Sequence, residues 1–156
     1  MIKRNVFENP GWYTSYTPYQ PEIAQGRLEA LMNYQTMVSD LTGMDISNAS
    51  LLDEPTSAAE AMMLAKRVAK SKSNTFFINS KTFKQTIAII KSRAKPLGVE
   101  IEIGDCPDKE KEYFAAYFQY PNAEGSIEDL ESVTKDIQAK GGLMIIGTDL
   151  LALTLL

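Results

Sequence analysis

The chain has 156 residues, 44% hydrophobic and 23% charged, with 16 basic against 20 acidic side chains and a net charge of −4. That length suits one domain, which at this size buries about 68–70% of its unfolded surface. The charge balance excludes a polybasic nucleic-acid binder, and the absence of histidine excludes an imidazole base, a Ser-His-Asp triad or a histidine-ligated metal supplied by this chain alone.

The basic start, Met1 to Asn5, is followed by no apolar segment, so no secretory signal is expected. Residues 5–21 are rich in Pro, Tyr, Asn and Gly. Pro10, Pro18 and Pro21 forbid a continuous helix and favour extended or turn geometry before each of them. Phe7, Trp12, Tyr13, Tyr16 and Tyr19 are too apolar for a solvated linker. Residues 1–21 are therefore expected to form an extended arm that lies against something, and residues 22–156 an α/β domain.

A helix is expected from about Glu22 to Thr42, with Pro21 at its start and Gly43 as its stop. Leu28, Leu31, Met32, Gln35, Val38 and Leu41 recur at helical spacing. After a mixed stretch, Met44 to Leu52, a second helix opens at Asp53-Glu54-Pro55-Thr56, capped by Asp53 or Glu54. Its expected buried stripe is Ala58, Ala61, Met62, Ala65, Val68 and Ala69. Lys66, Arg67, Lys70 and Lys72 place positive charge near its C-terminal end.

From Asn74 strands and helices alternate. Thr75–Ile78 is expected as a buried strand, and Lys81–Ala94 as a helix burying Phe83, Ile87, Ile90 and Ala94. Pro96-Leu97-Gly98 ends that helix, and Val99–Ile103 alternates like a strand. Cys106 follows. As the only cysteine it forms neither an internal disulfide nor a four-cysteine metal site; it reads as an ordinary thiol in a reducing, cytosolic protein. Tyr113–Tyr120 fits another strand. Ser126-Ile127-Glu128-Asp129 resembles a capping box and predicts a helix from Ser126 to about Ala139. Gly141-Gly142 stops it before a buried strand, Leu143–Ile146. The run Leu143–Leu156 is interrupted by Gly147, Thr148 and Asp149 and is too short for a membrane span, which needs about 20 residues. Its apolar tail is expected to pack in a groove, pair with another chain or aggregate. The alternation predicts a parallel sheet flanked by helices. No GxGxxG or Walker motif accompanies it.

Three segments carry a family resemblance. Glu8–Glu29, with Asn9-Pro10-Gly11-Trp12-Tyr13-Thr14-Ser15-Tyr16-Thr17-Pro18-Tyr19-Gln20-Pro21 at its heart, closely resembles a hallmark of the glycine decarboxylase P-protein family of the glycine cleavage system. Asn48–Glu54 followed by Thr56–Ala61 looks like a second hallmark, and Gly147–Leu153 like a third. They occur in family order and cover nearly the whole chain. The resemblance implies part of the large domain of a fold-type-I pyridoxal-phosphate transferase. It implies glycine decarboxylation, with transfer of the aminomethyl group to the lipoyl arm of the H-protein. Pyridoxal phosphate supplies that chemistry as an electron sink.

The matched motifs belong to the first half of such proteins. The Schiff-base lysine and the histidine that stacks on the cofactor belong to the second half. No lysine here stands in a matching context, so no catalytic residue is assigned and the chain is not expected to be active alone. The expected partners are the remainder of a P-protein, the lipoyl H-protein and further copies of the chain, with no nucleic acid and no membrane. The alternative is a short non-catalytic homologue that modulates a full-length P-protein or H-protein, or self-associates.

By resemblance, Tyr13, Thr14, Tyr16, Thr17, Tyr19 and Gln20 face substrate or the cofactor edge; residue type alone favours an aromatic packing wrap, and with the resemblance both roles stand. Thr56 and Ser57 open a helix where this fold type holds a cofactor phosphate, and helix capping is the other reading. Pro55 removes a donor there. Arg27 with Glu22 and Glu29 reads as a solvated charge cluster, and Asp149, at a strand end, as structural.

Overall fold

The computed structural model describes residues 1–10 and 19–156. They form two compact units, Met1–Ser50 and Leu51–Leu156.

In the first unit a π-helical segment, Lys3–Phe7, precedes a 3-10 turn at Pro21–Ile23 and helix α1, Gln25–Thr42. The expected helix start at Glu22 is corrected. Pro21 opens the tight turn by accepting from Ala24 N–H, and the α-helical ladder begins only when Leu28 N–H reaches Ala24 O at 3.0 Å. Gly43 ends α1 at φ 70°, a left-handed conformation that glycine adopts without Cβ strain. Of the predicted stripe, Leu28, Leu31, Gln35 and Val38 are half-buried, whereas Met32 and Leu41 are exposed. The Gln35 amide donates to Ser47 O at 2.8 Å and ties down the segment after the helix.

The second unit is a four-stranded parallel sheet of order β2-β1-β3-β4. Its strands are β1 Thr75–Asn79, β2 Glu100–Gly104, β3 Ala115–Tyr120 and β4 Leu143–Thr148. Helix α2 spans Glu54–Val68, α3 Lys84–Ala94 and α4 Glu131–Ala139. The two-residue period of the strands sorts side chains to two faces. Phe76, Ile78, Ala115, Tyr117, Leu143 and Ile145 pack with α2 and α3. Phe77, Ala116, Phe118, Tyr120, Met144 and Ile146 pack with Leu130, Val133 and Ile137 around α4. Phe77 sits edge-on to Tyr113 at 5.7 Å and tilted against Phe118 at 5.9 Å. Each such fully buried ring is worth about 1.5–3 kcal/mol of hydrophobic stabilisation.

Asp53 caps α2: its carboxylate accepts Thr56 N–H at 2.8 Å, and Pro55 occupies a first-turn position that needs no donor. The predicted Val68 is exposed, and Ala59 is buried in its place. Lys66 lies 4.8 Å above the Phe114 ring and donates to Ser73 O at 2.8 Å.

Two helix starts are corrected. α3 begins at Lys84, not Lys81, because Asn79 holds the preceding residues in a turn. Its side chain accepts Lys81 N–H at 2.9 Å and its carbonyl accepts Thr82 N–H at 3.0 Å. α3 buries Thr86, Ile90 and Ala94, with Phe83 and Ile87 half-buried. α4 begins at Glu131, not Ser126, because Asn122 captures the apparent capping box. Asn122 Nδ2 donates to Ser126 Oγ at 2.6 Å and to Glu128 Oε1 at 2.9 Å, while its Oδ1 accepts Ser126 N–H at 3.1 Å. Lys81 Nζ meets the same Glu128 oxygen at 2.9 Å. These side-chain bonds outcompete the helix. Asp129 Oδ1 then accepts Glu131 N–H at 2.9 Å and opens the real one. The apolar tail folds into a 3-10 turn, Ala152–Leu155, that buries Ala152 and leaves Leu151 and Leu155 exposed.

Among the described residues, no helix is long and apolar enough to cross a membrane, and no cluster of metal-ligating side chains occurs. The buried hydroxyls of Thr82 and Thr86 have no hydrogen-bond partner among the described residues. An unpaired buried hydroxyl costs about 1–3 kcal/mol. Thr86→Val keeps the shape and removes that penalty, so it should raise unfolding free energy by about 1 kcal/mol in urea titration.

At the β2 edge, Tyr113 Oη donates to Glu102 Oε1 at 2.8 Å and Lys111 Nζ meets Oε2 at 3.0 Å. The tyrosine hydrogen bond first, and then Lys111, hold the Glu102 carboxyl below its ordinary value of 4.5. A depressed carboxyl contributes stability above its unfolded pKa and loses it as pH falls through the folded one. The urea midpoint should therefore fall as pH drops below 4.5, and Tyr113→Phe should shrink that acid loss.

Candidate functional site

A cavity of about 350 Å³ lies where the carboxyl end of β4 meets the first turns of α2. Ligands of open α/β sheets bind at carboxyl ends of strands, because the loops and helix N-termini converge there. Its walls are Glu54, Ser57, Ala58 and Ala61 of α2, Tyr117 of β3, and Ile145 to Thr148 of β4.

The polar floor is a closed relay. Buried Tyr117 Oη donates to Gln119 Oε1 at 2.9 Å, and Gln119 Nε2 donates to Gly147 O at 3.0 Å. Burial, and secondarily the negative charge of Glu54, push the Tyr117 phenol far above its ordinary range. Tyr117 is therefore a fixed neutral donor and not a base. A Cβ at Gly147 would overlap the Tyr117 hydroxyl, so only glycine lets β4 approach it.

The α2 N-terminus has few donors to offer. Thr56 N–H goes to Asp53 Oδ1 at 2.8 Å, Ser57 N–H to Asp53 O at 2.9 Å and Ser57 Oγ to the same carbonyl at 2.9 Å. Pro55 has none. Among the described residues, no lysine lines this cavity.

The structure brings Ser57 to the cavity wall, with Thr56 beside it in the capped turn. Tyr19 and Gln20 are exposed in the first unit, just before the 3-10 turn. Tyr13, Thr14, Tyr16 and Thr17 lie outside the described residues. Asp149 has a structural position: its Oδ1 accepts Ala152 N–H at 2.8 Å and opens the C-terminal turn. Arg27 is half-buried on α1, with Glu22 and Glu29 exposed beside it. Cys106 is exposed and unpaired by any disulfide. Glu54, Tyr117 and Gln119 were not legible as site residues. Tyr117 reads as one more aromatic in a buried strand, and only the fold sets it against Gly147.

Gly147→Ala should lower stability by about 1–3 kcal/mol in urea unfolding, the usual cost of overpacking. Tyr117→Phe in the same chain removes the clashing oxygen and should recover part of that loss. Equal stability of the two variants would exclude the clash as its cause.

A family model described as Glycine cleavage system P-protein matches residues 1–156. A glycine dehydrogenase (decarboxylating) of Teredinibacter turnerae is 56% identical over 160 residues, covering 100% of this chain and 16% of the relative. The protein of the same name from Rhizobium meliloti is 55% identical over 159 residues, covering 100% of this chain and 17% of the relative. A crystal structure of glycine decarboxylase (P-protein) of the glycine cleavage system, in inhibitor-bound form, superposes with a TM-score of 0.81 at 30% identity. It covers 94% of this chain and 35% of that one. The chain thus spans about a sixth of the length of the curated relatives it matches, in their N-terminal part. It belongs to the glycine cleavage system P-protein family.

Proposed function

We propose that this chain serves glycine decarboxylation as the N-terminal portion of a P-protein, and does so only together with the remainder of such a protein. The carrying observation is the family match over all 156 residues. The family depends on pyridoxal phosphate. In this reading the aminomethyl group passes to the lipoyl arm of the H-protein, and the chain supplies binding surface and scaffold.

Three features of the α2 turn argue against a cofactor phosphate there. Pro55 lacks an N–H, the Thr56 N–H and the Ser57 N–H and hydroxyl are bound to Asp53, and Glu54 adds a negative charge to the cavity wall. A phosphate needs free donors or cationic side chains. We therefore assign Thr56 and Ser57 to helix capping and route no chemistry through the cofactor here. The segment from Tyr13 to Gln20, with its phenol and hydroxyl donors, is the part of the chain we assign to contact with substrate or the cofactor edge in the complete enzyme.

The test is reconstitution. The purified chain with pyridoxal phosphate and H-protein should exchange no glycine carboxyl carbon, and borohydride should trap no lysine adduct on it. Combined with the complementary portion of a P-protein, it should restore exchange. Trapping of the cofactor on one lysine of the isolated chain would overturn the division of labour, and failure of every complementary portion to respond would overturn the assignment.

A further inference from the structure

Helices that connect parallel strands run back to the edge where the strands begin. In the second unit this gathers the C-terminal ends of all three helices at one edge. Lys66 Nζ bonds Ser73 O just before β1, Asn74 Nδ2 reaches Gly98 O at 2.6 Å, and Ser71 N–H reaches Gly141 O at 2.9 Å. α2 brings Lys66, Arg67, Lys70 and Lys72 to that edge. α3 brings Lys91, Arg93 and Lys95, and α4 ends at Lys140. Half of the chain's 16 basic residues thus stand at one end of one unit.

Among the described residues, none of these eight side chains forms an ion pair; those within 4.0 Å involve Lys3, Lys81, Lys109, Lys111 and Lys135 instead. Acidic groups also stand near this edge: Glu100 opens β2, Glu112 lies three residues before β3, and Asp136, one turn before Lys140, pairs with Lys109 at 3.2 Å. The opposite end is acidic, with Asp53, Glu54, Asp105, Glu128, Asp129 and Asp149 at the carboxyl ends of strands and the N-termini of helices. Helix dipoles favour cations in a last turn, which accounts for Lys66, Arg67, Lys91 and Arg93. Lys70 and Lys72 lie past the end of α2, beyond that effect.

We propose that this basic edge is a docking surface for an acidic protein face, one that presents clustered Asp and Glu side chains. Charge complementarity selects the sign of the partner. Val68, next to Arg67, and Leu97, two residues after Lys95, are exposed at 59% and 55% and add apolar surface to the same edge. A phosphate backbone has no use for that apolar surface, whereas a protein face does. The edge also lies away from the cavity at the carboxyl ends of the strands, so a partner bound there leaves the cavity open.

The experiment titrates the full chain with poly-L-glutamate and, separately, with a short DNA duplex, at low and at physiological salt. Poly-L-glutamate should bind, weaken as salt rises, and bind more tightly than the duplex. The variant Lys70→Glu, Lys72→Glu, Lys91→Glu and Lys95→Glu, all at exposed positions, should lose at least about tenfold in affinity. The milder Lys70→Gln with Lys72→Gln should fall between it and the parent. Lys84→Glu, in the first turn of α3 and remote from the edge, should bind like the parent. Circular dichroism and urea midpoints establish that each variant is folded. Absence of poly-L-glutamate binding, tighter binding to the duplex, or equal loss in the remote variant would overturn the proposal.

Discussion

Strand β3 is buried along its whole length, and the second unit is arranged around that fact. A parallel strand flanked by β1 and β4 can shed water only if both of its faces are covered. α2 and α3 cover the Tyr117 face, and α4 with the C-terminal turn covers the Phe118 face. The two faces are filled differently. Alanines at positions 58, 59 and 65 let α2 approach the sheet closely, so the bulk on that side comes from Phe76, Phe114 and Tyr117. On the other side the cover is the short α4 with the C-terminal turn, and the aromatic set Phe77, Tyr113, Phe118 and Tyr120 fills the remainder.

The same strand also sets the chemistry of the cavity. Tyr117 faces α2, and its hydroxyl must find a partner in a buried place. Gln119, two residues on and on the same face, supplies the acceptor and passes the interaction to the β4 backbone. Gly147 is required because β4 has to approach the phenol that closely. The third family segment therefore begins with a glycine for a packing reason, independent of any ligand. Asp149 in that segment caps a turn, again a structural duty.

The strands and the parallel sheet were legible because two-residue periods, aromatic runs and strand–helix alternation survive any tertiary context, whereas the strand order β2-β1-β3-β4 was not. The caps at Asp53 and Gly43 were legible because their signals are local. Ser126 misled because its partner is not three residues ahead but four behind, in the Asn122 side chain, with Lys81 drawing Glu128 away from the other direction. Lys81 misled for the same reason through Asn79. Both errors arise where a buried asparagine organises a turn; a local pattern does not show which residue owns the hydrogen bonds. The cavity was illegible because Tyr117 and Gly147 are distant in sequence, and only the β3–β4 register sets them side by side.

Decarboxylation builds negative charge, and a site that promotes it must offer donors, cations or an electron sink. In this cavity the Tyr117 donor is spent on Gln119, a Gln119 amide proton on Gly147, and the Thr56 N–H and the Ser57 N–H and hydroxyl on Asp53. The Thr148 hydroxyl is spent on Asp149 O at 3.2 Å. The cavity wall also carries a carboxylate, Glu54. A carboxylate destabilises an anion that develops beside it, the more strongly the closer it stands. Family membership is carried by the match over the whole chain, and the donor accounting gives this cavity's polar groups structural duties. The two are compatible, because a segment that scaffolds a site is free to spend its polar groups on its own fold.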